Sequence, residues 1–192
     1  MLNIKVIVGS TREGRFSEVL LPWVTAQLDK TDEVSYEVLD LRDYDMPYYF
    51  NAASAKSITN GVYGNDAIGA FAAKVKEGDV FLVLTPEYNH GTSAVLKNAF
   101  DVVYNEWNKK AVAFVSYGSV GGARAVEHLR QIVVELQLAP MRNAVHIMNP
   151  WLLRDDTGAL KTGALESYDG TLADTIEQLV WWGKALKIAR AE

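Results

Sequence analysis

The chain has 192 residues, 49% hydrophobic and 22% charged, the length and balance of one folded globular domain and not of a disordered segment. Lys and Arg total 19 against 24 Asp and Glu, a net charge of -5, which argues against a general nucleic-acid binder. Cysteine is absent, which excludes disulfide scaffolds, thiolate catalysis, iron–sulfur clusters and Cys-ligated zinc.

The opening Ile4–Val8 reads as a strand and not as a signal peptide, with no charged leader before a long apolar stretch. No run of about 18 apolar residues follows, so no membrane span is expected, and the composition is compatible with the cytoplasm. Further strand-length runs lie at 34–41, 79–85, 111–117 and 144–148. The first, third and fourth are continuously apolar, as strands buried on both faces require. Helix-period segments lie between them. Residues 17–28 carry Leu20, Leu21, Val24 and Leu28; residues 67–75 carry Ile68, Phe71, Ala72 and Val75 and close at Gly78. A third follows over 95–107, and a fourth over 123–138 aligns Val126, Leu129, Ile132, Val133 and Leu136 ahead of Pro140. The last runs over about 172–188. Strands alternating with helices predict a single α/β domain over 1–192, doubly wound around a parallel sheet. Ligands bind such sheets at the carboxyl ends of the strands. Two connections are long. Residues 43–65, with tyrosines at 44, 48, 49 and 63, suggest a lid or interface; residues 149–170 hold a turn at Asp156-Thr157-Gly158 and suggest a small hairpin.

Three strand–helix loops therefore bear on chemistry. The first, Gly9-Ser10-Thr11-Arg12-Glu13-Gly14-Arg15-Phe16-Ser17, sets hydroxyls and arginines at a helix N-terminus, where free amides and the helix dipole favour an anion. It is neither a Walker A loop nor Gly-x-Gly-x-x-Gly. The plainer alternative is a turn capped by Ser17 with solvated arginines. The second, Thr85-Pro86-Glu87-Tyr88-Asn89-His90-Gly91-Thr92-Ser93, offers an aromatic surface at Tyr88 and amide groups able to read the polar edge of a heterocycle; alternatively Ser93 caps a helix and Tyr88 packs. The third, Tyr117-Gly118-Ser119-Val120-Gly121-Gly122, permits close backbone approach, although a glycine-rich turn needs no ligand. His90, His128 and His146 show no metal spacing, and a serine hydrolase would want Gly-x-Ser-x-Gly where this chain has Tyr117 before Ser119. Trp181-Trp182 suggests core or an oligomer interface more than a stacking platform.

Taken together, Gly9-Ser10-Thr11-Arg12-x-Gly14-Arg15, Pro86-Glu87-Tyr88-Asn89-His90-Gly91 with Leu96-Lys97-Asn98-Ala99, and Tyr117-Gly118-Ser119-x-Gly121-Gly122 resemble the NADPH-dependent FMN reductase family. These are flavodoxin-like flavoproteins that include quinone, azo-dye and chromate reductases. The resemblance covers residues 1 to about 150 and implies a five-stranded sheet in the order 2-1-3-4-5. It implies that Ser10, Arg12, Arg15, Phe16 and Ser17 hold the FMN phosphate. Pro86, Glu87, Tyr88 and Asn89 would lie along the isoalloxazine, mostly through backbone, with Tyr117, Gly118, Ser119 and Gly122 flanking its pyrimidine side. Arg15 and Ser17 depart from the commoner serine and asparagine. Function by resemblance is ping-pong transfer of hydride from NADPH, or NADH, through flavin N5 to a small acceptor: flavin, quinone, azo compound or metal oxyanion. The flavin carries that chemistry, so no catalytic side chain and no metal are required. The family implies a homodimer or homotetramer, with residues 96–107 and 43–65 near its interface. A flavodoxin-type electron carrier and a flavin-free binding domain are the rival readings; arginines in the first loop and the modest net charge weigh against the carrier.

Overall fold

The computed structural model describes residues 1–192. Its elements, in chain order, are β1 Leu2–Val8, α1 Ser17–Leu28, β2 Val34–Asp40, α2 Asp66–Glu77, β3 Val80–Pro86, α3 Ala94–Val102, β4 Ala111–Gly118, α4 Ala123–Glu135, β5 Ala139–Met148 and α5 Asp169–Ala191. All strand pairs are parallel and the order is β2-β1-β3-β4-β5, the expected flavodoxin-like winding. Two cores follow from the period-2 alternation of the strands. Ile7, Phe81, Val83, Val112 and Phe114 point to the face covered by α2, α3 and α4. Ile4, Val6, Leu82, Leu84, Ala113 and Val115 point to the other, against Leu20 and Val24 of α1 and Leu172, Ile176 and Leu179 of α5. Each such fully buried aliphatic or aromatic side chain contributes about 1.5–3 kcal/mol.

Several boundaries differ from the sequence expectation, each for a local reason. The third helix ends at Val102, not 107, and a 3-10 turn over Asn105–Trp107 follows. Leaving the helix lets Trp107 enter the core beside Phe81 and Phe100, with ring centroids 4.7 and 5.1 Å away. The fourth helix stops at Glu135 because Gln137 adopts φ 57°, and Leu138 N donates to Val133 O at 3.0 Å, a Schellman-type reversal. The fifth strand begins at Ala139, five residues early, and so includes Pro140. It is an edge strand, where the missing N–H of proline costs no ladder bond. Segment 43–65 is pinned by side-chain amides: Asn98 donates to Met46 O and Pro47 O at 3.2 and 3.1 Å, and Asn105 donates to Lys56 O and Ile58 O at 3.2 and 2.8 Å. Residues 154–160 form the small hairpin, with a bridge between Arg154 and Leu160. Trp181 and Trp182 are exposed on α5 and belong to neither core.

Candidate active site

The carboxyl ends of β1, β3 and β4 carry the three loops, and a cleft of about 490 Å³ opens between them. Its first wall is Arg12, Arg15 and Phe16 from the first loop. Ser10 and Ser17 are fully buried behind that wall. Ser17 is the first residue of α1 and its hydroxyl caps nothing, so the capped-turn alternative fails. The terminal nitrogens of Arg15 are already engaged: Nη1 donates to Asp40 Oδ1 at 2.7 Å, Nη2 to Asp40 Oδ2, and Nη1 also to Ser10 O. The hydrogen bond to Asp40 raises the Arg15 pKa, and burial only partly opposes it. Arg12 is exposed, its guanidinium 5.5 Å from the centre of the Tyr88 ring.

Pro86, Glu87 and Tyr88 of the second loop form the next wall. The hydroxyls of Tyr88 and Ser10 are 2.8 Å apart, which ties this loop to the first. Tyr88 to Gly91 is a two-residue hairpin closed by Tyr88 N to Gly91 O at 2.9 Å and Gly91 N to Tyr88 O at 3.1 Å. Its central residues Asn89 and His90 have φ 49° and 75°, as a type I′ turn demands. Asn89 is thereby at an exposed tip and outside the cleft wall. The Glu87 carboxylate turns away into α4, accepting from Arg124 N at 3.1 Å and Arg124 Nε at 2.6 Å. Burial raises its pKa, but the Arg124 side chain and helix amides outweigh that and hold it below the usual carboxylate range. Ser93 caps α3, accepting from Leu96 N at 3.2 Å.

Tyr117 and Gly118 of the third loop close the cleft. Ser119 is exposed and Gly122 buried, and neither lines it. The glycines at 121 and 122 answer a packing need: both have positive φ, and a Cβ on Gly122 would lie 2.7 Å from Ser116 Cβ and 2.8 Å from Tyr117 N. His146 pairs with Ser116 at 2.8 Å and not with Ser119, so no serine–histidine pair faces the cleft. No three potential metal ligands cluster anywhere.

Four buried polar atoms have no hydrogen-bond partner: Arg15 Nε, which faces only the Glu18 carboxylate at 3.4 Å, Ser17 Oγ, Tyr117 OH and Arg154 Nε. Arg15 and Ser17 are in the first loop; Tyr117 packs on Phe16 at 5.3 Å and Arg154 lies 5.3 Å over the same ring. Each orphaned group costs about 1–3 kcal/mol, and their gathering at one place calls for an oxygen-rich anion. The main-chain amides of Ser10 to Phe16 likewise donate to no main-chain carbonyl. The residues present thus fit the phosphate of FMN, with Phe16, Tyr88 and Tyr117 as aromatic walls. Burial raises the Tyr117 phenol, so it stays neutral.

The sequence reading missed Asp40, Arg42, Arg124 and Arg154, along with Pro150, Trp151, Asp155 and Asp156 of the cleft wall. Asp40-Leu41-Arg42 carried a usable signal, because it sits at the carboxyl end of β2, next to β1 in the sheet. Arg154 carried none: it reaches Gly14 O and Arg15 O, at 3.0 and 2.9 Å, from about 140 positions away.

A sequence model described as NADPH-dependent FMN reductase matches residues 2–151. An NAD(P)H-dependent FMN reductase of Schizosaccharomyces pombe is 33% identical over 146 residues, covering 74% of this chain and 72% of that protein. An NAD(P)H:quinone oxidoreductase of Solanum tuberosum is 33% identical over 142 residues, covering 72% and 70%. In fold, the chain is similar to FerB, a flavoenzyme NAD(P)H:(acceptor) oxidoreductase from Paracoccus denitrificans, with TM-score 0.71 and 19% identity over 93% of this chain and 97% of that one. With three-quarters of its length matched, and a cleft whose unmet donors fit a flavin phosphate, this chain belongs to the NADPH-dependent FMN reductase family and is an oxidoreductase that uses FMN and NAD(P)H.

Proposed function

We propose that the protein passes reducing equivalents from NADPH, or NADH, by way of FMN to a small acceptor in a ping-pong sequence. The observation that carries this reading is the gathering of buried, unpartnered polar atoms and free main-chain amides around an aromatic cleft. When bound, FMN supplies the ring that accepts and returns a hydride equivalent. The chain supplies position. Ser17, Tyr117 and the first-loop amides would hold the phosphate, with the Arg15 and Arg12 charges behind and beside it. Tyr88, its hydroxyl fixed by Ser10, and Pro86 would set one side of the ring, and Glu87, drawn off by Arg124, keeps its negative charge out of the cleft. Pro150 and Trp151 also line the cleft. The flavin chemistry needs no acid or base from the protein.

The acceptor belongs to the class of free flavins, quinones, azo compounds or metal oxyanions. The same reading includes a homodimer or homotetramer, supported by Tyr48 and Phe50, exposed on segment 43–65. It also includes a cytoplasmic location; no helix is long and apolar enough to cross a membrane. The test is anaerobic. Protein loaded with FMN and freed of excess is mixed with NADPH or NADH, and the flavin absorbance is followed; an acceptor is added only after the nicotinamide is exhausted. Bleaching by the donor and recovery with the acceptor are expected. Flavin that stays bound but is bleached by neither donor would turn the reading to an electron carrier, and failure to retain FMN would end it.

A further inference from the structure

Five carbonyls of the first loop share an unusual fate: each accepts from an arginine. Arg15 Nη1 donates to Ser10 O. Arg42, two residues past β2, donates through Nε to Thr11 O at 3.3 Å and through Nη2 to Arg12 O. Arg154, from the hairpin after β5, donates through Nη1 to Gly14 O at 3.0 Å and through Nη2 to Arg15 O at 2.9 Å. The last of these lies beyond the 2–151 span that the family model matches.

In a trans peptide the C=O and N–H point in opposite directions. A guanidinium that holds a carbonyl therefore turns the following amide away from itself. By this rule the amides of Thr11, Arg12, Glu13, Arg15 and Phe16 are all aimed by an arginine, and none of them donates to a main-chain carbonyl. The planar fork of arginine holds two successive carbonyls from two nitrogens at a fixed spacing, a rigid geometry that the single ammonium of lysine does not impose. We infer that Arg42 and Arg154 are positioning residues for phosphate recognition: by holding its carbonyls, they fix the loop's peptide planes so that its amides present an anion-binding nest before the ligand arrives. Arg154 suits the role because its other contact is only the Phe16 ring, whereas Arg42 is also paired with Glu18.

This inference rests on the FMN reading above, and the experiment separates the two. Dissociation constants for FMN and for riboflavin, which lacks the phosphate, are measured by flavin fluorescence on wild type, Arg154→Ala and Arg154→Lys. Wild type is expected to prefer FMN; equal affinities would show that the phosphate is not bound here and would overturn the underlying reading. With that preference in hand, Arg154→Ala is expected to weaken FMN by about tenfold or more, the equivalent of one charge-assisted hydrogen bond, while riboflavin changes less than about twofold. Arg154→Lys, which keeps the charge but lacks the rigid two-nitrogen fork, is expected to fall between. Equal loss for both flavins in the two variants, or no loss for either, would overturn the positioning role.

Discussion

The Arg15–Asp40 pair makes the sharpest test of how the first loop is held. The Arg15 side chain is 5% exposed and Asp40 24% exposed. Asp40→Ala leaves a buried guanidinium with only Ser10 O and the more distant Glu18 carboxylate, 3.4 Å from its Nε. Breaking a buried pair from one side costs about 3–5 kcal/mol; water can reach the Asp40 side, so the lower end, about 3 kcal/mol, is expected. At this chain length that lowers Tm by about 6–12 °C. Arg15→Met strands a carboxylate that keeps the Arg42 amide at 3.0 Å and contact with solvent, and is expected to cost about 2 kcal/mol. The double variant should fall short of the summed losses by about 1–3 kcal/mol. Urea denaturation of flavin-free protein gives all three values. Losses that add to within about 0.5 kcal/mol would mean that the two groups act independently, and the account of the loop would fail. The pH dependence has a definite sign. Burial pushes the Asp40 carboxyl up, but Arg15 and the Arg42 amide more than offset it, leaving its folded pKa below the ordinary value. A depressed carboxylate stabilises above its unfolded pKa of about 3.9. The gap between wild type and Asp40→Ala should therefore close as pH falls below about 4.

Gly122→Ala must adopt φ 75° and meet Ser116 Cβ at 2.7 Å, so strain and overpacking together should cost about 2–5 kcal/mol. Gly61→Ala, at φ 72° with open space, should cost only about 1–2 kcal/mol; equal losses on urea denaturation would refute the clash. Tyr88→Phe strips the partner from the buried Ser10 hydroxyl and is expected to lower stability by about 1–2 kcal/mol, read from the urea midpoint at unchanged slope. Lys110 is buried, donates to Val75 O and Lys76 O at 2.7 and 3.0 Å, and is lowered by burial from 10.5 to about 8. Between those two values the unfolded chain holds the extra proton, so stability rises with pH there; Lys110→Met should abolish that rise, and an unchanged pH profile by thermal denaturation would count against it.

Much of the fold was legible in the sequence because periodicity is local. Continuous apolar runs of strand length such as Val80–Leu84, flanked by Gly78 and Pro86, read as strands covered on both faces, and helices between them leave few right-handed ways to wind the sheet. That placed the loops at 9–17, 85–93 and 117–122 together at the strands' carboxyl ends, where the cleft opens. What the loops do with their side chains was not legible. Arg15 reads as a free phosphate ligand until Asp40 is set beside it by the pairing of β2 with β1. Glu87 reads as part of a flavin wall until α4 brings up Arg124, and Gly122 as a ligand's approach until Ser116 fills the space. Asn89 leaves the cleft only because two positive φ values fold Tyr88 back on Gly91.

By itself, the sequence determined that this is a doubly wound α/β domain with an anion-favouring first loop, because alternation, turn residues and loop composition depend on near neighbours in the chain. Only the tertiary structure decided which arginines remain available to a ligand and which ones hold the loop in shape. Asp40, Arg42 and Arg154 reach it from about 25 to 140 positions away. Hydrogen bonds across such separations leave no period in the sequence; they exist once the sheet has set the ends of β2, β1 and β5 in place.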